Sequence, residues 1–108
     1  MSRISGIVAF DGLPSASGEI TRLLQRGAAR HDWRQATLRF DHGMLGWVGS
    51  GTARCAMNAR SAVVLDGYIY NARELGEFES DARCVQELYE RYGFVEMLRR
   101  LNGDFAIA

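Results

Sequence analysis

The segment Ala62-Val63-Val64-Leu65-Asp66-Gly67-Tyr68-Ile69-Tyr70-Asn71 constrains this chain more than any other. A short apolar run closed by Asp-Gly reads as a buried strand that stops at a tight turn, since Gly67 tolerates positive φ. The Tyr-Ile-Tyr-Asn tail then leads into a polar segment, Ala72 to Glu77.

A chain of 108 residues supports one small domain and a modest core, with about two-thirds of its surface buried at best. Apolar content of 47% and a formal net charge of zero are ordinary for a soluble globular protein. There is no basic excess to suggest nucleic acid, and no block of like charges. The longest apolar runs fall well short of the ~20 residues of a membrane span, and Met1-Ser2-Arg3 opens no signal peptide. Cys55 and Cys84 are too few for a disulfide framework, so a reducing cytoplasm is the expected compartment.

Taken in order, Ile4-Ser5-Gly6-Ile7-Val8-Ala9-Phe10 is a nearly continuous apolar run ended by Asp11-Gly12. Apolar on both faces, it reads as a strand covered on both faces and central in a layered fold. Pro14 with Ser15 or Ser17 opens a helix that places Ile20, Leu23, Leu24 and Ala28 on one face. Ala36 to Phe40, Gly43 to Val48, Arg54 to Asn58 and Ala62 to Leu65 are candidate strands of an antiparallel meander. Ser80 or Asp81 caps a helix carrying Val85, Leu88, Tyr89 and Tyr92, which Gly93 stops. A second helix repeats the spacing at Phe94, Met97, Leu98 and Leu101. The last five residues read as a strand just begun, and the chain as a fragment of a longer protein. His31 and His42 are too scattered for a metal site and read as loop residues, while Trp33 and Trp47 read as core or edge anchors.

Asp66-Gly67-Tyr68-Ile69-Tyr70-Asn71 closely resembles the "NGEIYN" signature of class II glutamine amidotransferases, above all asparagine synthetases. The resemblance extends along nearly the whole chain. Ile4 to Phe10 resembles the family's opening "MCGIxG" strand, and Gly51-Thr52-Ala53-Arg54-Cys55 its "GHxRL" segment. Ser80-Asp81 resembles "GSD", and Leu101-Asn102-Gly103-Asp104-Phe105-Ala106 resembles "LxGxFAF". The implied fold is α+β: an N-terminal-nucleophile hydrolase-like αββα sandwich of antiparallel sheets, incomplete at its C-terminus. Residues 1–108 would be the N-terminal part of a glutamine amidotransferase type 2-like domain. An ATP-dependent synthetase domain with an "SGGxDS" loop would follow the chain end; ATP and Mg belong to that domain, and no cofactor is expected in this chain.

The family's site residues carry over position by position. Its nucleophile is a cysteine exposed at the N-terminus, whose own α-amine is the base; the equivalent here is Ser5, internal and without that amine. Asp66 and Gly67 stand at the oxyanion-hole positions, but Asp66 replaces the family asparagine and would repel a developing oxyanion. Loss of one such donor costs roughly 3–4 kcal/mol in barrier. Arg54 matches the arginine that holds the substrate α-carboxylate, a task suited to a guanidinium fork. Asp81 matches the aspartate that receives the α-amine, and Tyr68 replaces a second amine-binding glutamate. Arg54 and Asp81 also have plain structural readings, as a strand arginine and a helix N-terminal acid. Cys55 and Cys84 read as small, partly buried apolar residues.

The expectation is therefore a degenerate glutaminase-like domain of an asparagine synthetase-like, amide-forming enzyme, not hydrolysing glutamine by itself. β-Lactam synthetases and lasso-peptide cyclases are relatives with such an inactive domain. Expected partners are glutamine or another amino acid, bound weakly, and either a second copy or the C-terminal synthetase domain; neither nucleic acid nor membrane is expected. Two alternatives stand beside this: an amidohydrolase using a processed Ser5, and a non-catalytic domain that binds a ligand or partner through the old pocket.

Overall fold

The computed structural model describes residues 2–10, 16–28 and 32–108. Over these the chain runs β1 (Ser2–Val8), α1 (Ala16–Gly27), β2 (Arg34–Phe40), β3 (Gly43–Gly49), β4 (Cys55–Met57) and β5 (Ala62–Ile69). It continues through α2 (Ala72–Leu75), α3 (Asp81–Tyr92), α4 (Phe94–Arg100) and β6 (Gly103–Ile107). The strands form two antiparallel three-stranded sheets, ordered β1-β3-β2 and β4-β5-β6. The expected turn at Asp11-Gly12, the helix start at Pro14-Ser15 and His31 lie outside the described residues.

The first sheet carries α1 on one face, and its other face meets β5 of the second sheet, whose far side carries α3. Strand alternation fixes which residue faces which layer. Ile7 and Met44 pack with Ile20 of α1, while Ile4, Leu38, Phe40, Leu45 and Trp47 close on Val64 between the sheets. Beyond the second sheet, Val63, Leu65 and Ile69 pack with Ala82, Cys84, Val85, Leu88 and Met97. Each such aliphatic side chain, once buried, contributes about 1.5–3 kcal/mol against exposure. Among the described residues no helix is long and apolar enough to cross a membrane.

Several expectations change. The apolar run of β1 belongs to a strand at the sheet margin; β3, buried along its whole length, is the central one. Two-sided apolar character reported the layers above and below β1, not its place within the sheet. The meander is divided, with β2–β3 in one sheet and β4–β5 in the other. β5 does not stop at Asp66-Gly67 but continues to Ile69. Gly67 keeps a positive φ of 108° inside the strand, where its missing Cβ lets the β6 backbone approach: a Cβ there would lie 2.0 Å from the Asp104 carbonyl oxygen. On the helices Leu23, Tyr89, Phe94 and Leu98 are exposed, because only one stripe of each short helix reaches the core. Ser80 caps α3 as expected, its side chain accepting from the Arg83 N–H at 3.2 Å, and Gly93 ends that helix with φ 78°.

Candidate functional site

One margin of β5 supplies the site. Val64 exchanges backbone hydrogen bonds with Ala108, and Tyr70 N–H donates to Asn102, so even-numbered residues of β5 bond toward β6. Odd-numbered residues send their backbone groups the other way, toward β4. That strand is short: the Leu65 N–H still donates to the Arg54 carbonyl at 2.8 Å, but the strand is not there to pair with Gly67 or Ile69. Side chains take over. Arg54 Nη1 donates to the Gly67 carbonyl, and the Ile69 N–H donates to Asp81 Oδ2 at 2.9 Å. Arg54 and Asp81 thus finish the edge of β5 that β4 leaves open.

The same two side chains meet each other. Arg54 Nη1 lies 4.0 Å from Asp81 Oδ2, with each side chain about a third exposed (31% and 28%). At that exposure the ion pair contributes at most about 1 kcal/mol. The Arg54 guanidinium also sits over the Tyr68 ring, 4.0 Å from its centroid, an arrangement that adds roughly 0.5–1 kcal/mol at an exposed site. Asp81 owes its position to α3: it is the first helical residue after the Ser80 cap, where the helix dipole favours a carboxylate.

Asp66 and Tyr68 fall on the face of β5 that looks toward the first sheet. There the Ser2 hydroxyl donates to Asp66 Oδ1, with Ser2 itself buried at 8% exposure. Sequence reasoning missed Ser2; its only signal is a position on the same strand face as Ile4. Ser5, three residues on, faces the other way. Its cross-strand neighbour is Gly46, whose absent Cβ would lie 2.8 Å from Leu24 of α1. The Ser5 hydroxyl is buried on that α1 side and has no hydrogen-bond partner among the described residues. Arg54, Gly67, Tyr68 and Asp81 are thus brought together, Asp66 turns to Ser2 instead, and Ser5 lies on the opposite face of its own sheet.

A cleft of about 560 Å³ opens beside Asp81, lined by Arg73, Glu77, Phe78 and Glu79 among others. Its acidic lining suits a cationic group. A second cavity, of about 620 Å³, lies elsewhere, between the β2–β3 turn, the β4–β5 loop and α3–α4. One wall of that cavity is held by a polar network. Buried Gln86 donates to the Ser61 carbonyl at 2.9 Å and to its hydroxyl at 3.1 Å, and Glu90 accepts from Ser61 Oγ and Asn58 Nδ2 at 2.5 and 2.8 Å. Those bonds hold the Glu90 carboxyl below its usual range.

Both cysteines are free. Burial pushes the Cys84 thiol up to about 11, helped by Asp81 and Glu87, and burial also raises Cys55. Thiols shifted in this direction are poor nucleophiles at neutral pH. Among the described residues no cluster of three or more His, Cys, Asp or Glu side chains is arranged to hold a metal ion. Comparison with protein-family models, with curated proteins and with solved structures finds no match to this chain.

Proposed function

We propose that this chain is a degenerate glutaminase-like domain, related to the glutamine amidotransferase half of asparagine synthetases, that has kept an amino-acid pocket and lost hydrolysis. The observation that carries the proposal is the Arg54–Asp81 pair at the margin of β5, with Tyr68 against it. A guanidinium beside a carboxylate matches the two ends of an α-amino acid zwitterion. Arg54 has five N–H donors, and its described bonds use Nη1 alone; Asp81 Oδ1 carries no described partner beside the bonded Oδ2. Capacity for a zwitterion is therefore left over, while the internal bonds compete with it, so binding is weak.

Hydrolysis fails for separate reasons. A negative or hydroxyl-bonded Asp66 offers no donor to an oxyanion, and the Ser5 hydroxyl opens toward α1 and not toward Arg54 or Asp81. The amidohydrolase reading through Ser5 finds no such support. The two-sheet arrangement with helices on the outer faces is what an N-terminal-nucleophile hydrolase-like sandwich requires, and on that reading the chain serves an ATP- and Mg-dependent synthetase domain. Titration calorimetry with glutamine and glutamate, on the parent and on Arg54→Ala, tests the pocket. Heat from either ligand that disappears in Arg54→Ala supports it; no heat from both on the folded parent removes the amino-acid pocket from the account.

A further inference from the structure

Tyr68 is a large aromatic side chain left 58% exposed, and it belongs to none of the described core clusters. Core packing therefore does not account for its place. Its ring meets the Arg54 guanidinium instead, whose carbon lies 4.0 Å from the ring centroid. The residue before it supplies a second hold, since Arg54 Nη1 donates to the Gly67 carbonyl. One dipeptide of β5 thus grips the guanidinium twice, at an N–H and across a face.

The two holds do different things. A single hydrogen bond at Nη1 is a pivot, about which a planar group on a long, flexible stem still turns. Asp81 Oδ2 approaches that same nitrogen, at 4.0 Å, so the ion pair does not stop the turning. An aromatic ring against the face does, because attraction to the ring keeps the cation over it. What is left is the edge formed by Nε and Nη2, which no described bond uses. Its two N–H groups point the same way and match the two oxygens of a carboxylate.

We infer that Tyr68 is the positioning residue of this pocket and makes it selective for free α-amino acids. The ring fixes the plane of Arg54 so that the Nε–Nη2 edge receives an α-carboxylate, which an amino-acid ester or amide lacks. The inference rests on the amino-acid pocket proposed above and adds to it a residue and a ligand class. Asp81 cannot supply this selectivity, since acid, ester and amide share the same α-amine. The contact is made by the ring, so phenylalanine serves equally well and leucine does not.

Nuclear magnetic resonance on the intact chain tests the inference. It follows the Arg54 Nε–H signal, identified by its absence from Arg54→Ala, while L-glutamine or L-glutamine α-amide is titrated in. In the parent the ring current moves this signal upfield, glutamine shifts it, and the α-amide binds more weakly. Tyr68→Phe reproduces the parent. Tyr68→Leu keeps the parent's circular dichroism but loses the upfield position, and it binds glutamine about two- to fivefold more weakly. Its affinity for the α-amide is that of the parent. A parent that binds no glutamine removes the pocket and this inference with it. Where the parent binds, the inference alone is overturned if Tyr68→Leu binds glutamine as tightly as the parent. Equal weakening toward glutamine and the α-amide overturns it too, as does a Tyr68→Phe protein that behaves like Tyr68→Leu.

Discussion

Replacing Gly67 by alanine tests the packing that forms the site. Two costs combine at this position. The backbone holds φ at 108°, where an L side chain is strained by about 1–2 kcal/mol. The new Cβ would also stand 2.0 Å from the Asp104 carbonyl oxygen and 2.8 Å from the Phe105 Cα, both backbone atoms that cannot swing aside. Forcing β5 and β6 apart to admit it costs about 1–3 kcal/mol more. The sum, roughly 2–5 kcal/mol, is a large share of the stability of a domain this small and corresponds to a drop in Tm of at least about 8 °C. Two glycines calibrate the result. Gly103→Ala brings a Cβ to 2.1 Å from the Tyr68 carbonyl oxygen without a positive φ, so it incurs the second cost alone. Gly18, in α1, has open space around its missing Cβ, and Gly18→Ala stabilises by about 0.5–1 kcal/mol. Urea unfolding of the four proteins gives the order. Gly67→Ala within about 0.5 kcal/mol of the parent, or no less stable than Gly103→Ala, refutes the argument for a strained close approach.

Gln86→Leu removes the bonds that buried Gln86 donates to the Ser61 carbonyl and hydroxyl, leaves the carbonyl with the Asn58 N–H alone, and lowers stability by about 0.5–1.5 kcal/mol in the same unfolding assay. Because Ser61 and Asn58 hold Glu90 below its ordinary value of 4.5, its contribution is present above that value and is lost as pH falls through the lower folded value. Urea midpoints measured down that range should fall less steeply in Glu90→Gln than in the parent. Cys84 runs the opposite way. With its thiol raised from 9.0 to about 11, its contribution is complete below pH 9 and is lost as pH rises toward 11. Cys84→Ala should show a shallower alkaline loss of stability, and a thiol reagent at pH 8 should label half-buried Cys55 before buried Cys84.

The parts of this fold that the sequence makes legible are those whose cause is local. Ser80 and Gly93 bracket α3 because a hydroxyl cap and a residue free to take positive φ act within one turn. The apolar runs mark β1 and β5 for the same reason. What the sequence hid was set between layers. Nothing in Gly43 to Gly49 announces that it is the central strand, since its three glycines lower its apolar signal, while those at 43 and 46 make room for Phe40 and Leu24. Asp66-Gly67 carries a turn signal, yet β6 lying alongside converts the glycine into a close strand crossing. The same holds for the site. Arg54, Tyr68 and Asp81 were named through the family resemblance, and they lie in contact with one another. Their contact depends on β4 ending early, which leaves the β5 edge to be finished by side chains. Ser2 and the direction of Ser5 depend on strand alternation across a sheet whose order no local pattern records.

Ammonia release from glutamine is the most direct measurement of the central claim, that a glutaminase-like site is retained here without its chemistry. The purified chain is assayed beside Ser5→Ala and Ser2→Ala, at glutamine concentrations high enough to fill a weak pocket. The account predicts that all three release ammonia at the rate of buffer alone, because Asp66 supplies no oxyanion donor and the Ser5 hydroxyl faces α1. Turnover in the parent that disappears in either serine variant would contradict it.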